Sequence, residues 1–414
     1  MKKIKIIAML LSIICCLEFM TACSLSKSGK SEMGTARDDT TDKYSELKAL
    51  DADEKGYDLP VDSQEEEEAK QDIKSLTAKV EPIYSSDEKG DTLNSNISEE
   101  ALEEMCDAAA DKNPVITTHK GDSMRNYNMF AGFLKNAAKA KSGSITIYQI
   151  ALDGSISREK FMFDGKCMYM LHTGLSWSRG GKSVITPTTN TRIKEWKFTE
   201  RGWFYYEVCT PKPPEVTELM NGKDMMRVYP QDVELQKLCQ QYFQPIGYQG
   251  NNLFLTEWNE SNMADLDFAG LYEYLYQIKY QKKYEPNLPL EGISKADFEG
   301  LIMEYLPVSS EILEKNKAYN PEKQIYEWKK LGCGNYSPNA FGESIPDVIY
   351  VKDNGNNTLS VTINVVCEPL GSDEVFSHEV TIRLDDKGNV QYLGNHILQN
   401  ADSIPEYQYR LGND

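Results

Sequence analysis

The sequence predicts an α+β protein in which helices precede an antiparallel sheet twice. Three observations lead to this fold class. Some segments repeat apolar side chains every three or four residues, whereas others alternate apolar and polar side chains. Asp153-Gly154 and Asp164-Gly165 separate β-rich runs, as in hairpins. Both sheet segments follow helical segments along the chain, which predicts an α+β unit over residues 61–258 and a second over 259–414.

The first unit begins with helical patterns. Ala69, Ile73, Leu76 and Val80 recur at intervals of four, three and four residues, which places them on one helical face. Ser98 is the predicted N-cap of a second helix that ends near residue 110. We expect further helices at about 124–140 and 231–243.

An antiparallel meander of about five strands lies between these helices. The β-rich runs cover residues 144–152, 156–163, 166–172, 192–199 and 203–209. Proline has no N–H to donate to a sheet, so Pro211, Pro213 and Pro214 predict the end of the meander. A last strand is expected at about 252–258.

The second unit repeats this order. Apolar residues from Phe268 to Ile278 predict a helix over 267–283, and Ser294 caps another that runs to Tyr305. A short helix is expected near 309–317. Apolar and polar residues then alternate over 359–365 and 376–384, and a turn at 386–389 leads into a strand over 390–397.

The N-terminus has the features of a bacterial lipoprotein signal. Three lysines within the first five residues precede an apolar run at 6–16, which is shorter than the roughly 20 residues of a membrane span. Met20-Thr21-Ala22-Cys23 resembles a lipobox. We therefore predict a signal peptide at 1–22, diacylglycerol on Cys23, and attachment to the extracytoplasmic face of the cell membrane. The alternative is an ordinary secretory signal with a chance cysteine.

Residues 23–60 are interpreted as the lipidated cysteine followed by a disordered tether, because large apolar side chains are rare there. The formal net charge of the chain is −19. Such a surface repels nucleic acid, so the predicted partner is the membrane, reached through the lipid. The ligand or protein partner remains open.

Six cysteines follow Cys23, and the first is Cys106 while the last is Cys367. An exported chain can form disulfides, but these six are widely spaced in a chain long enough to build a core without them. Isolated buried thiols are favoured over three bridges. The sequence has no Cys-x-x-Cys pair, and its four histidines are scattered, so neither a metal site nor a cofactor is predicted.

No catalytic residue is assigned. A metalloprotease motif at His378-Glu379 would need a second histidine at 382, where isoleucine stands. On a strand, His378 shares the apolar face with Val380, which favours a buried histidine with satisfied hydrogen bonds. Cys333, between two glycines, could act as a nucleophile only beside a base, and the spacing places none there.

Aromatic side chains are the remaining candidates for a binding surface. The chain has 24 tyrosines and five tryptophans, and such side chains serve both binding platforms and cores. Trp177, Trp258 and Trp328 lie near predicted loops or strand ends and are our candidate binding residues.

Three sequence blocks carry a family resemblance. Residues 251–258 (NNLFLTEW, with Tyr248 before them), 288–294 (LPLEGIS) and 376–383 (FSHEVTIR) resemble a family of uncharacterised lipoproteins of Gram-positive bacteria. The resemblance covers most of the chain after about residue 60 and implies no activity, substrate or catalytic residue. We expect a surface-anchored binding or accessory protein rather than an enzyme. A cell-envelope hydrolase and a structural assembly component are the alternatives.

Overall fold

The computed structural model describes residues 55–87, 96–119, 121–178, 180–286, 291–332 and 340–411. All described residues belong to one compact unit within Tyr44–Asp414. The predicted signal peptide, Cys23, most of the predicted tether and Cys333 lie outside the described residues. Helices and largely antiparallel sheets occur together in this unit, which confirms the α+β prediction.

The helices of the described ranges follow the predicted patterns closely. They are α1 (Ser63–Ser86), α2 (Glu99–Ala109), α3 (Tyr127–Ala137), α4 (Val233–Leu238), α5 (Phe268–Tyr280), α6 (Lys295–Tyr305) and α7 (Ser310–Glu314). The predicted N-caps form, since the hydroxyl oxygens of Ser98 and Ser294 accept from the backbone N–H groups of Ala101 and Asp297.

The first sheet contains the predicted meander. Its strands are β1 (Val115–Thr117), β2 (Gly143–Ile150), β3 (Ile156–Phe163), β4 (Met168–Trp177), β5 (Ser183–Ile185), β6 (Thr189–Phe198), β7 (Trp203–Val208) and β8 (Lys223–Arg227). They pair in the order β1-β2-β3-β4-β6-β7-β8, with β5 on β4. The sheet curls so that strands distant in its order come close together. The Gln149 side chain on β2 donates to Asp224 on β8 at 3.1 Å.

Helices cover both faces of this sheet. Apolar residues of α1 and α2, including Ile73 and Met105, pack on one face. Phe130 of α3 packs on the concave face, where its ring contacts the rings of Phe161 and Phe204 at centroid distances of 5.4 and 5.2 Å. The side chains of neighbouring residues on a strand point to opposite faces, so β7 presents Phe204 to this core and Trp203 and Tyr205 to the other side.

The remaining strands form two more sheets. They are β9 (Trp258–Asn259), β10 (Ile293–Ser294), β11 (Tyr319–Asn320), β12 (Ile325–Tyr326), β13 (Ile345–Gly355), β14 (Thr358–Val366), β15 (Ser377–Leu384) and β16 (Val390–Gln399). The larger sheet has the order β13-β14-β15-β16-β9, and the smaller has the order β10-β12-β11. One hydrophobic core joins the larger sheet to α5 and α6 and includes residues from Cys239 to Trp258. The domain boundary at 258/259 stays a prediction.

His378 lies in this core, as its position on an apolar strand face predicted. Its side chain is fully buried, and burial lowers the pKa of the imidazole to about 4. Asn395 Oδ1 lies 2.6 Å from Nδ1 and the Tyr248 hydroxyl 2.8 Å from Nε2, so both nitrogens of the neutral ring are satisfied. The histidine is therefore a buried structural residue that is hydrogen-bonded to Tyr248 and Asn395.

The strand predicted over about 252–258 is wrong except at Trp258. The Asn251 carboxamide accepts from the N–H of Leu253 and donates to the carbonyl of Ile246. The Asn252 oxygen accepts from the N–H of Asp267. These bonds to nearby backbone satisfy groups that a strand would pair across a sheet, so turns replace most of the strand.

Candidate binding cleft at the joint between two sheets

The first sheet and the larger C-terminal sheet meet at a contact that we call the joint. From the first sheet, Trp203, Tyr205 and Met225 pack against Ile345 and Val366 of the second. The contact forms because side chains alternate between the two faces of a strand. Trp203, Tyr205 and Met225 point away from the concave core of the first sheet. Ile345 and Val366 point away from the C-terminal core that contains His378. Residues from distant parts of the chain thus meet at one place.

A buried ion pair lies at the centre of the joint. Arg227 Nη1 donates to Asp347 Oδ1 at 2.7 Å, and the side chains are 9% and 2% exposed. Gln231 Nε2 donates to the same oxygen at 3.0 Å, and Trp203 Nε1 lies 3.4 Å from Asp347 Oδ2. Burial nevertheless raises the pKa of Asp347 above its ordinary value, although Arg227 acts to lower it. The carboxylate is therefore held in a strongly desolvated position.

Several buried polar atoms around this ion pair have no hydrogen-bonding partner within the described part of the chain. They are Arg227 Nε, both carboxamide atoms of Asn364, Ser344 Oγ and Asp373 Oδ2. Asn364 stands opposite Asp347 in the β13–β14 register, and Asp373 acts electrostatically on Asp347. Buried polar groups are nearly always paired in folded proteins, so this concentration of unpaired atoms distinguishes the joint from the rest of the core.

An open cleft borders the ion pair, with a volume of about 300 Å³ that includes open solvent. It is lined by Gly121, Trp203, Arg227, Gln231, Gln236, Cys239, Gln240, Gln244, Ile345, Pro346 and Asp347. Its deepest part is narrow and admits a group of about the size of a water molecule. A second, shallow depression shares Trp203 and Ile345 with the cleft, so the two adjoin at these side chains.

The glutamines along one wall come from an unusual helix. The α-helix α4 continues as a π-helix over Cys239–Phe243, and π-helical turns are rare and frequently occur at functional sites. Gln236, Gln240 and Gln244 are spaced four residues apart, which brings their amides to the same wall. The Gln236 side chain donates to Asp122 at 3.4 Å, whereas the exposed side chain of Gln240 makes no hydrogen bond to the described residues.

A histidine–aspartate pair adjoins the glutamine wall. His119 Nδ1 lies 3.2 Å from Asp122 Oδ1, and Gln244 Nε2 lies 3.3 Å from His119 Nε2. The hydrogen bond to Asp122 raises the pKa of His119 above its ordinary value and outweighs the opposing effect of partial burial. Burial acts to raise the pKa of Asp122, yet bonds from His119 and Thr117 bring it below its ordinary value. Asp122 therefore orients the imidazole through Nδ1, and Gln244 lies against Nε2.

The thiol in the cleft wall is not activated. Burial raises the pKa of Cys239 to about 12, and its Sγ donates to the carbonyl oxygen of Pro346 at 3.2 Å. A thiolate nucleophile needs a lowered pKa, so Cys239 serves as a structural thiol. Cys106, Cys167, Cys209 and Cys239 are all free thiols, in line with the preference for isolated cysteines.

The three tryptophans proposed as binding residues lie apart from the cleft. Trp258 is buried and donates to the carbonyl of Leu253 at 2.8 Å. Trp328 is buried beside Tyr284, with a ring-centroid distance of 5.0 Å. Trp177 is partly buried and stacks on Tyr84 at 4.0 Å. The structure does not bring the three together, and binding at each of them stays a prediction.

The cleft is suited to hydrogen bonding. Its walls offer amides that both donate and accept, one cation and one aromatic face. No group of three or more His, Cys, Asp or Glu side chains within the described ranges is arranged to hold a metal ion. Over the same ranges, no helix combines the length and apolar character needed to cross a membrane.

Comparison with known proteins gives one match. A family model described as "Family of unknown function (DUF6070)" matches residues 66–410. No curated protein and no solved structure matches the chain significantly. The family model covers the described helices and sheets almost completely, and the joint lies within the matched range.

Proposed function

The chain belongs to the DUF6070 family of unknown function, and from this premise we propose that it is a lipid-anchored binding protein on the extracytoplasmic face of the cell membrane. In this proposal the joint cleft holds the ligand. The N-terminal pattern, which is typical of lipoproteins of Gram-positive bacteria, supports the anchor. The composition of the cleft supports the binding role.

The anchor is proposed from the basic N-terminal residues, the apolar run at 6–16 and the small residues before Cys23. Two acyl chains hold a protein at a bilayer where one chain is marginal. The strongly acidic chain gains nothing from anionic lipid, so the covalent lipid has to supply the attachment.

We expect Cys23→Ala to abolish lipidation and release the protein from the membrane fraction. Mass spectrometry of the mature wild-type N-terminus should identify diacylglyceryl-cysteine at position 23. Cys15→Ala, which changes a cysteine inside the apolar run, is the matched control and should leave attachment intact. A wild-type chain that begins at another residue without lipid would contradict the anchor.

The binding role rests on one observation above all: the buried ion pair of Arg227 and Asp347 lines an amide-lined cleft, and Arg227 Nε has no hydrogen-bonding partner among the described residues. Pockets that bind small molecules place a few polar groups among apolar walls, often where two structural units meet. The uncharged glutamine amides of the cleft both donate and accept hydrogen bonds, so they suit an uncharged ligand that also carries hydrogen-bond donors and acceptors. We therefore assign the cleft to an uncharged, amide-bearing ligand such as a short peptide segment.

N-acetylglycinamide, a small uncharged probe with two amide groups, should bind weakly at the cleft. We expect backbone amide shifts in NMR titration to concentrate at residues 236–244 and 345–347, and Gln240→Ala to weaken binding several-fold. Gln399→Ala removes a glutamine on β16 that is exposed, as Gln240 is, and should leave the titration unchanged. Shifts confined to other parts of the chain, or equal effects of the two substitutions, would overturn the assignment.

A hydrolase is the second candidate, because His119 is oriented by Asp122 beside the cleft. Such a pair can act as a general base when its free nitrogen reaches a nucleophile or water. Here Gln244 lies against Nε2, which supports the binding role over catalysis.

A further inference from the structure

The loop that joins β7 to β8 exposes two adjacent large apolar side chains, one of which is the most exposed of its kind among the described residues. In this loop, residues 209–222, Leu219 is 81% exposed and the adjacent Met220 is 57% exposed. We call these two residues the apolar tip. Adjacent exposed apolar side chains are the kind of surface that a protein partner or a membrane can cover.

The loop lies beside the segment through which the chain arrives from its N-terminus. The Tyr57 hydroxyl donates to Glu215 Oε2 at 2.5 Å. The carbonyl of Gly56 accepts from Arg192 N at 2.7 Å, and the carbonyl of Arg192 accepts from Cys209 N at 2.9 Å. Gly56 also packs so closely on Cys209 that a Cβ there would lie 2.5 Å from its sulfur. The arriving segment and the base of the loop are thus fixed to each other.

We propose that the apolar tip of this loop rests in the outer leaflet of the membrane that holds the lipid anchor. The proposal rests on the anchor at Cys23, which lies 32 residues before Lys55. Because the chain enters beside Glu215, the segment that follows Cys23 joins the folded unit next to this loop. Burial of Leu219 and Met220 then favours one orientation, with the loop facing the membrane.

The test uses the full-length lipidated protein in vesicles of phosphatidylcholine and phosphatidylglycerol, with and without brominated lipid. Met220→Trp places an indole at the tip, and Tyr350→Trp places one at a residue of nearly identical exposure, 58%, on β13. Relative to wild type, we expect brominated lipid to quench most of the added emission of the first variant and little of the second.

The outcomes separate the loop from the anchor. If the protein floats with the vesicles and the two indoles are quenched equally or not at all, the loop proposal fails while the anchor stands. If the tip instead self-associates, the added emission of Met220→Trp will shift with protein concentration and not with brominated lipid, which also overturns it. Failure of the wild type to float would overturn the anchor and the proposed orientation together.

Discussion

Asp347→Ala should be among the most destabilising single substitutions in this protein. It removes the partner of Arg227 and the acceptor of Gln231 and Trp203, and it leaves a guanidinium buried without a counter-charge. Breaking a buried ion pair in this way costs about 3–5 kcal/mol. Urea unfolding at pH 7 should report a loss of that size in the free energy of unfolding.

Two controls identify the cause of this loss. Arg227→Met combined with Asp347→Leu replaces the whole ion pair with apolar groups and should recover much of the stability, since no unpaired charge remains. Glu311→Ala breaks the exposed pair with Lys315, whose side chains are 80% and 72% exposed, and should have no measurable effect. If Asp347→Ala unfolds like the Glu311 control, the ion pair does not stabilise the joint.

Glu159→Gln should change the pH dependence of stability more than any exposed substitution. Glu159 on β3 is 5% exposed, and its two oxygens accept from Gln149 Nε2 at 3.1 Å. Gln149 also donates to Asp224, which accepts a second bond from the Tyr206 hydroxyl. Burial, reinforced by the charge of Asp224, raises the pKa of Glu159 to about 8, although the Gln149 bond opposes the shift.

The direction in which stability changes with pH follows from proton linkage. The folded state holds the Glu159 proton up to about pH 8, whereas the unfolded state releases it near its ordinary pKa of 4.5. Glu159 therefore stabilises the fold at low pH. As the pH rises from 4.5 to about 8, its contribution to the free energy of unfolding falls by at most about 1.4 kcal/mol per pH unit. Burial lowers the pKa of His172, which stands opposite Glu159 in the β3–β4 register.

Glutamine cannot titrate, so the stability difference between Glu159→Gln and wild type should grow in favour of the variant from pH 5 to pH 8. Urea unfolding at four pH values measures this difference, and other titrating groups cancel in it. Glu104→Gln on the exposed face of α2 is the matched control and should give a constant difference. A constant difference for Glu159→Gln as well would show that its carboxyl titrates normally in the fold.

The parts of the fold that depend on local patterns could be predicted from the sequence. The Ser98 and Ser294 caps, the stripe on α5 and the Asp-Gly turns each act within a few residues, so the composition of a short window determines them. His378 also belongs to this group, since the alternation along β15 placed it on the buried face.

The joint could not be predicted, because no local pattern encodes it. Arg227 lies on β8, a five-residue strand that follows the proline-rich loop and has no clear alternation. Its partner Asp347 is 120 residues away, on a strand whose second residue is proline. The spacing of Gln236, Gln240 and Gln244 was visible in the sequence, but only the π-helix and the fold bring these amides to a cleft. The aromatic residues favoured as binding candidates lie elsewhere, because tyrosine and tryptophan serve cores equally well.

The most direct test of the binding role is a crystal structure of the chain soaked with N-acetylglycinamide. The account predicts electron density for the probe in the joint cleft, with its amide groups bonded to Gln240 and Gln244 and its end directed towards Arg227 and Asp347. Density for the probe only at other sites, with the cleft occupied by solvent alone, would contradict the claim that this cleft is a ligand-binding site.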